Sequence, residues 1–263
     1  MVLLYVVIMY GATAADDAAL RAGSSGDQGS AYRKSGGILV QKDFFVIFDM
    51  DGVIFDSERA CFECWVEAAD MLKVKGMREF YPRIIGTNAG QTLRMARETF
   101  DGITGEGTAE KLQRLSSGIF HRRYDNSGLP LKKGAEEILG YLRDEGIRTG
   151  LASSARTRQV IRELTNAGLI DYFDSVTGGD SVTISKPDPR IYLIACEKLG
   201  SLPRETFAIE DSFNGIRSAH RAGMRPLMVP DMIPPDDETV SLCEGIFRDL
   251  TEVLEYFRKR GNR

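Results

Sequence analysis

A chain of 263 residues can bury a sizeable core, as one large domain or as one domain carrying a smaller insertion. Its 34 lysines and arginines stand against 38 aspartates and glutamates, and the resulting net charge of -4 argues against nucleic acid as a partner, since such binders display basic surfaces. No apolar run approaches the roughly 18 residues of a membrane span, four cysteines are too few for a disulfide scaffold, and His121 and His220 stand too far apart to suggest a zinc centre, so chemistry falls to carboxylates.

Residues 1–40 read as an N-terminal extension and Gly/Ser-rich linker, expected to be disordered. An apolar start from Val2 to Tyr10 is followed by Ala12-Thr13-Ala14, then by a Gly/Ser-rich stretch from Ala22 to Gly37. A secretory signal needs positive charge ahead of its apolar stretch as well as a small-residue cleavage site. Only the second is present, so the expected location is cytoplasmic.

From Phe44 short apolar runs alternate with helical periods. Phe44 to Phe48 is apolar on both faces, which suits a strand buried in a parallel sheet. Arg148 to Ala152, Thr206 to Ile209 and Pro226 to Val229 are further candidate strands. Helical spacing connects Ile138, Leu139 and Leu142, then Val160, Ile161 and Leu164, then Ile191, Ile194 and Leu199. Gly146-Ile147, Gly168-Leu169 and Gly223-Met224 close three helices, because glycine accepts the left-handed conformation there. This alternation predicts an α/β fold with a doubly wound parallel sheet.

Residues 59–129 break the alternation. Apolar residues recur at Phe62, Trp65 and Val66, at Leu93, Met95 and Ala96, and at Leu112, Leu115, Ile119 and Phe120, with no convincing strand. The expectation is a core domain from 41–58 and 130–263 and an inserted, all-helical cap over 59–129. An insertion after the first strand lies beside the carboxyl edge of the sheet, where ligands bind in such folds.

Asp49-Met50-Asp51-Gly52-Val53 directly follows that first strand. Two aspartates so close repel one another unless a cation or a shared proton intervenes, and hard oxygen ligands favour Mg²⁺. Three further signals share the same edge. Ser153 and Ser154 end the second candidate strand, Lys186 sits in Ser185-Lys186-Pro187-Asp188-Pro189, and Glu210-Asp211-Ser212 follows the strand Thr206 to Ile209. Each alone has a plainer explanation: a turn for the aspartates, helix caps for Ser153 and Asp211, a solvated charge for Lys186. Four such events in one order on one edge point to a catalytic site.

These residues resemble the haloacid dehalogenase superfamily, specifically its phosphatase and β-phosphoglucomutase-like branch with a helical cap after the first strand. The resemblance covers about residues 43–257. It implies a Rossmann-like core and a phosphoric monoester hydrolase acting on a small phosphorylated metabolite such as a sugar phosphate or nucleotide, as a monomer or weak homodimer. By the same resemblance Asp49 is the nucleophile and Asp51 the general acid and base. Ser153, with Ser154, Gly52 and Asn88, would bind the phosphate end of the substrate, and Lys186 would neutralise charge beside Asp49. Mg²⁺ would be held by Asp49, Asp51 through its carbonyl, Asp211, and Glu210 directly or through water. The second aspartate favours phosphoryl transfer over dehalogenation.

Substrate choice is expected from the insertion. Sugar phosphomutases of this branch place a histidine and an arginine where Cys61 and Ala89 align, so both features are absent here, although Arg83 or Arg94 offers a substitute cation. Trp65, Thr87 and Asn88 are candidates to face the substrate, with core packing the plainer role for Trp65. Cys61 and Cys64 have redox spacing but lie in a predicted helix, where packing is expected. A catalytically silent binding module would not require both Asp49 and Asp51.

Overall fold

The computed structural model describes residues 44–261 apart from 86, 88 and 126. Six parallel strands form one sheet in the order β3-β2-β1-β4-β5-β6. They are β1 (Phe45–Phe48), β2 (Thr149–Ala152), β3 (Ser175–Thr177), β4 (Thr206–Glu210), β5 (Arg225–Met228) and β6 (Gly245–Ile246). The four strands expected from apolar runs are present, each within a residue of its expected ends. β3 and β6 are not legible as such runs: they have three and two residues and sit at the sheet edges, where a strand needs little apolar surface.

Side-chain alternation along the central strands fixes where the helices go. Val46 and Phe48 of β1 join Phe207 and Ile209 of β4 in one cluster, with α4 (Ala135–Asp144) and α8 (Leu250–Gly261) supplying Ile138, Leu139, Val253 and Phe257. Ile47 and Ala208 point the other way, onto Ile191, Tyr192 and Ala195 of α6 (Arg190–Leu199) and Ala219 of α7 (Phe213–Arg221). Apolar residues on both faces explain the doubly wound layering. Phe257 closes one face by stacking on Phe44, ring centroids 5.3 Å apart. The expected helix-ending glycines Gly146, Gly168 and Gly223 all have positive φ.

Between β1 and β2 the described residues contain helices and no strand of the sheet. The main ones are α1 (Ser57–Met71), α2 (Ala89–Ala96) and α3 (Thr108–Tyr124), with α1 packed along α3. Trp65 is buried and packs edge-on to Tyr81, so it is a core residue. Cys61 and Cys64 are free and buried in α1, as packing requires. Chain entry and exit lie side by side: Asp56 N donates to Pro130 O and Lys132 N to Ile54 O, both at 2.8 Å. One expected apolar position differs, because Ile161 of α5 (Thr157–Asn166) is exposed.

Candidate functional site

The carboxyl ends of β1, β2 and β4 lie side by side through the parallel pairing of β1 with both neighbours. That geometry gathers residues more than a hundred positions apart. Asp49 follows β1 and its N–H donates to Ile209 O at 2.9 Å, which holds the loop against β4. Ser153 follows β2, and Glu210 ends β4. Lys186 reaches the same edge from the connection between β3 and α6, so the unpredicted β3 accounts for its position.

Lys186 is the hub. Its Nζ lies 2.5 Å from Asp49 Oδ1 and 2.7 Å from Glu210 Oε1, and also donates to Ala152 O at 3.2 Å. Only 7% of its side chain is exposed, which rules out a solvated surface charge. Burial works against its charge, but Asp49 and Glu210 outweigh it and hold the ammonium above its ordinary pKa.

The two site carboxylates on the β4 side divide their labour. Glu210 spends both oxygens on protein groups: Oε1 accepts from Lys186 and Tyr192, while Oε2 accepts from the Ser212 hydroxyl at 3.0 Å and the Asp211 and Ser212 amides at 3.2 Å. Despite burial, these partners keep its carboxyl below the ordinary value. Asp211 has neither oxygen bonded, although both are buried. It is not the helix cap either, because Ser212 fills that role by accepting from Gly215 N at 3.0 Å.

Burial is the main force on the two loop aspartates. It pushes Asp49 up to about 6 against the pull of Lys186, and pushes Asp51 up to about 8 with help from the Asp49 charge. Both Asp51 oxygens are buried with no hydrogen bond of normal geometry, although the Ser57 hydroxyl is near enough to moderate the shift. Two neighbouring carboxylates are thereby driven apart in acidity, an arrangement typical of acid-base sites.

The donor set fits a hard divalent cation. Ligand oxygens of Asp49, Glu210 and Asp211 lie within 4.8 Å of one another, and the bare Asp211 oxygens are groups whose burial is costly without a positive partner. Gly52 permits that approach: at φ 79°, a Cβ would sit 2.3 Å from Asp211 Oδ2. Gly215 does the same for Glu210, with a Cβ only 1.9 Å from the carboxylate.

The remaining expected residues fall into place unevenly. Ser153 is fully buried beside Ala152, and its Oγ accepts from Ala155 N at 3.0 Å. It does not cap α5, which begins four residues later at Thr157. The first amide of α5 is already engaged, Thr157 N donating to Asp180 Oδ1 at 2.8 Å, so an anion there would meet the 153–156 loop and not a bare helix end. Ser154 is half-buried beside Ser153, and Gly179 leaves room for its carbonyl, since a Cβ there would sit 2.2 Å from the Ser154 oxygen. Asn88 lies outside the described residues. Thr87 turns its hydroxyl to Ile84 O and Thr92, and Arg83 and Arg94 are exposed. Arg123 of α3 pairs with Glu63 and Glu67 of α1.

Sequence reading missed Tyr192, which occupies an apolar helical position and so resembles a core residue. It also missed Glu58 and Asp231. Asp231 stands three residues beyond β5 on the same carboxyl edge, and that position was its available signal.

Comparison with known proteins agrees with this geometry. The sequence profile of the haloacid dehalogenase-like hydrolases matches residues 46–229. The chain is 30% identical to a phosphorylated carbohydrates phosphatase of Thermotoga maritima, over 68% of this chain and 81% of that protein. It is 31% identical to a β-phosphoglucomutase of Bacillus subtilis, over 68% of this chain and 80% of that one. A solved structure from Thermotoga maritima, provisionally named a β-phosphoglucomutase, superposes with a TM-score of 0.69 at 26% identity, covering 82% of this chain and 99% of the other. With the matched span running from β1 to the end of β5 and through every residue of the Asp49, Lys186 and Asp211 cluster, the chain belongs to the haloacid dehalogenase-like hydrolase family of enzymes.

Proposed function

We propose that this protein is a Mg²⁺-dependent phosphatase that hydrolyses a small phosphorylated metabolite of the sugar phosphate type through an aspartyl-phosphate intermediate. The observation that carries the reading is geometric: Lys186 Nζ lies 2.5 Å from Asp49 Oδ1, the bare buried oxygens of Asp211 stand beside it, and burial with the Asp49 charge pushes the neighbouring Asp51 carboxyl up, towards the acid form. Asp49 would attack phosphorus in line, and Asp51 would give its proton to the leaving oxygen, then take one from the water that cleaves the acyl phosphate. Lys186, Ser153, Ser154 and the 153–156 loop would neutralise the phosphoryl oxygens. Asp49, Asp211 and the Asp51 carbonyl would hold the cation, which supplies charge neutralisation; the saturation of Glu210 by Lys186, Tyr192 and Ser212 favours a supporting role for it. Residues 59–129 would act as the cap over this edge, entering and leaving at the paired segments near Ile54 and Pro130. The relative named a phosphorylated carbohydrates phosphatase supports the sugar phosphate class.

The test is phosphate release from a panel of phosphorylated metabolites and an aryl phosphate, with Mg²⁺ or chelator, for wild type and Asp49→Asn. Metal-dependent release lost in the variant supports the reading. Turnover only in the presence of a sugar bisphosphate would replace it with a phosphomutase. Absence of turnover under all conditions would leave a binding module.

A further inference from the structure

Beside Asp211 lies a cavity of about 290 Å³ that the mechanism above does not use. Its wall comes from several parts of the chain: Glu58 at the start of α1, Asp211 and Asn214, Arg217 of α7, and Asp231 beyond β5. Three of these are carboxylates. The cation among them, Arg217, is already held by Glu238 through two contacts of 2.9 and 2.5 Å.

Asp231 is the telling residue. Its side chain is only 3% exposed, and Oδ1 accepts from Lys132 Nζ at 2.7 Å. Oδ2 is buried with no hydrogen-bond partner, at the cavity wall. A buried carboxylate oxygen left bare costs free energy that a donor from a ligand recovers. Glu58, across the cavity on α1, is held by the Tyr81 hydroxyl at 2.8 Å, so its carboxylate is fixed in place as a second acceptor.

We propose that this cavity receives the organic part of the substrate, and that Asp231 and Glu58 select a leaving group rich in hydroxyl or ammonium donors while rejecting any second anionic group. The inference rests on the phosphatase reading and narrows it to monophosphates of neutral polyols and amino polyols. Hydroxyl or ammonium hydrogens satisfy the open carboxylate oxygens. A second phosphate or carboxylate leaves them unpaired and adds like-charge repulsion. A site built to bond a substrate donor discriminates strongly against compounds that lack it.

The experiment measures kcat/KM with Mg²⁺ for a hexitol monophosphate, a hexosamine 6-phosphate, a hexose bisphosphate and 3-phosphoglycerate. Wild type, Asp231→Asn and Glu58→Gln are compared. Asparagine keeps an oxygen for Lys132 and turns the open acceptor into a donor. Each protein is read by the ratio between substrates, so partial unfolding cancels. Wild type is expected to favour the first two compounds by more than about tenfold, and Asp231→Asn to erase about tenfold of that preference, chiefly through KM. Equal use of the bisphosphate by wild type, or a ratio unmoved in both variants, overturns the inference. If wild type hydrolyses nothing, an aryl phosphate included, the phosphatase reading fails separately. Calorimetric affinities of the same four compounds for wild type and Asp231→Asn then decide the inference by the same ratio.

Discussion

The Tyr192 hydroxyl donates to Glu210 Oε1 at 2.8 Å, the same oxygen that lies 2.7 Å from Lys186. Lys186 also passes over the Tyr192 ring, 4.8 Å from its centroid. Tyr192 therefore steers the lysine that meets Asp49. Tyr192→Phe keeps the ring and removes both the bond to Glu210 and the 3.4 Å contact its hydroxyl accepts from Lys186, a loss of about 1–2 kcal/mol in stability. Turnover is expected to fall about tenfold with KM little changed, as Lys186 loses its fixed position. Steady-state kinetics beside urea unfolding checks this; an unchanged kcat would show that Asp49, Glu210 and Ala152 position the lysine without Tyr192.

Asp211 is buried with both oxygens bare, and burial together with the Glu210 and Asp49 charges pushes its carboxyl well above the ordinary range. Above the ordinary carboxylate pKa the unfolded chain ionises while burial resists that charge in the folded protein, so the group opposes folding, and a bound cation reverses the effect. In chelator at pH 8, Asp211→Asn is expected to melt higher than wild type. Added Mg²⁺ is expected to raise the Tm of wild type, as a ligand that binds only the folded state must, and to leave the variant unmoved. Equal Mg²⁺ responses in the two proteins would remove Asp211 from the cation site.

Gly52 combines a φ of 79° with the close approach to Asp211 Oδ2. Gly52→Ala pays for both, the left-handed backbone costing about 1 kcal/mol and the displaced loop more. The expected result is a loss of roughly 2 kcal/mol in stability together with the Mg²⁺ response. Gly76→Ala is the control: its φ is 86°, but a Cβ there meets nothing within 4 Å, so only the backbone cost remains. Similar losses of metal response in the two variants would contradict the steric account.

Glu58 supplies a pH signature. Burial first, and the Asp231 charge second, push its carboxyl up from 4.5 to about 7 despite the Tyr81 hydrogen bond. Below pH 4.5 the group is protonated whether the chain is folded or not, and it contributes no penalty. Between 4.5 and 7 the unfolded chain loses that proton while the folded protein keeps it, so stability falls as pH rises, then levels off. Glu58→Gln keeps an acceptor for Tyr81 and removes the titration. It is expected to be more stable than wild type at pH 8, by an amount on the order of 3 kcal/mol, and nearly equal to it at pH 4.5. Parallel stability curves for the two proteins across that range would refute the assignment.

Much of the site was legible from spacing because its residues sit immediately after strands. Asp49, Ser153 and Glu210 each follow an apolar run, and a run buried on both faces marks a central parallel strand whose carboxyl end faces the ligand edge. Chain order then supplied Lys186 and Asp211. The two edge strands were not legible, since β3 and β6 carry too few apolar residues to show a period.

The doubly wound layering and the carboxylate loop follow from local periodicity and from short links between consecutive elements, so both can be read from the order of residues. Tertiary structure alone decided the rest. It showed that Glu210 is saturated while Asp211 is bare, that Ser212 and not Asp211 caps α7, that Asp180 occupies the first amide of α5, and that Glu58 and Asp231 line one cavity. The physical reason is that hydrogen-bond saturation and burial depend on which distant residues meet, and residues 58, 211 and 231 share no spacing that would bring them together on paper.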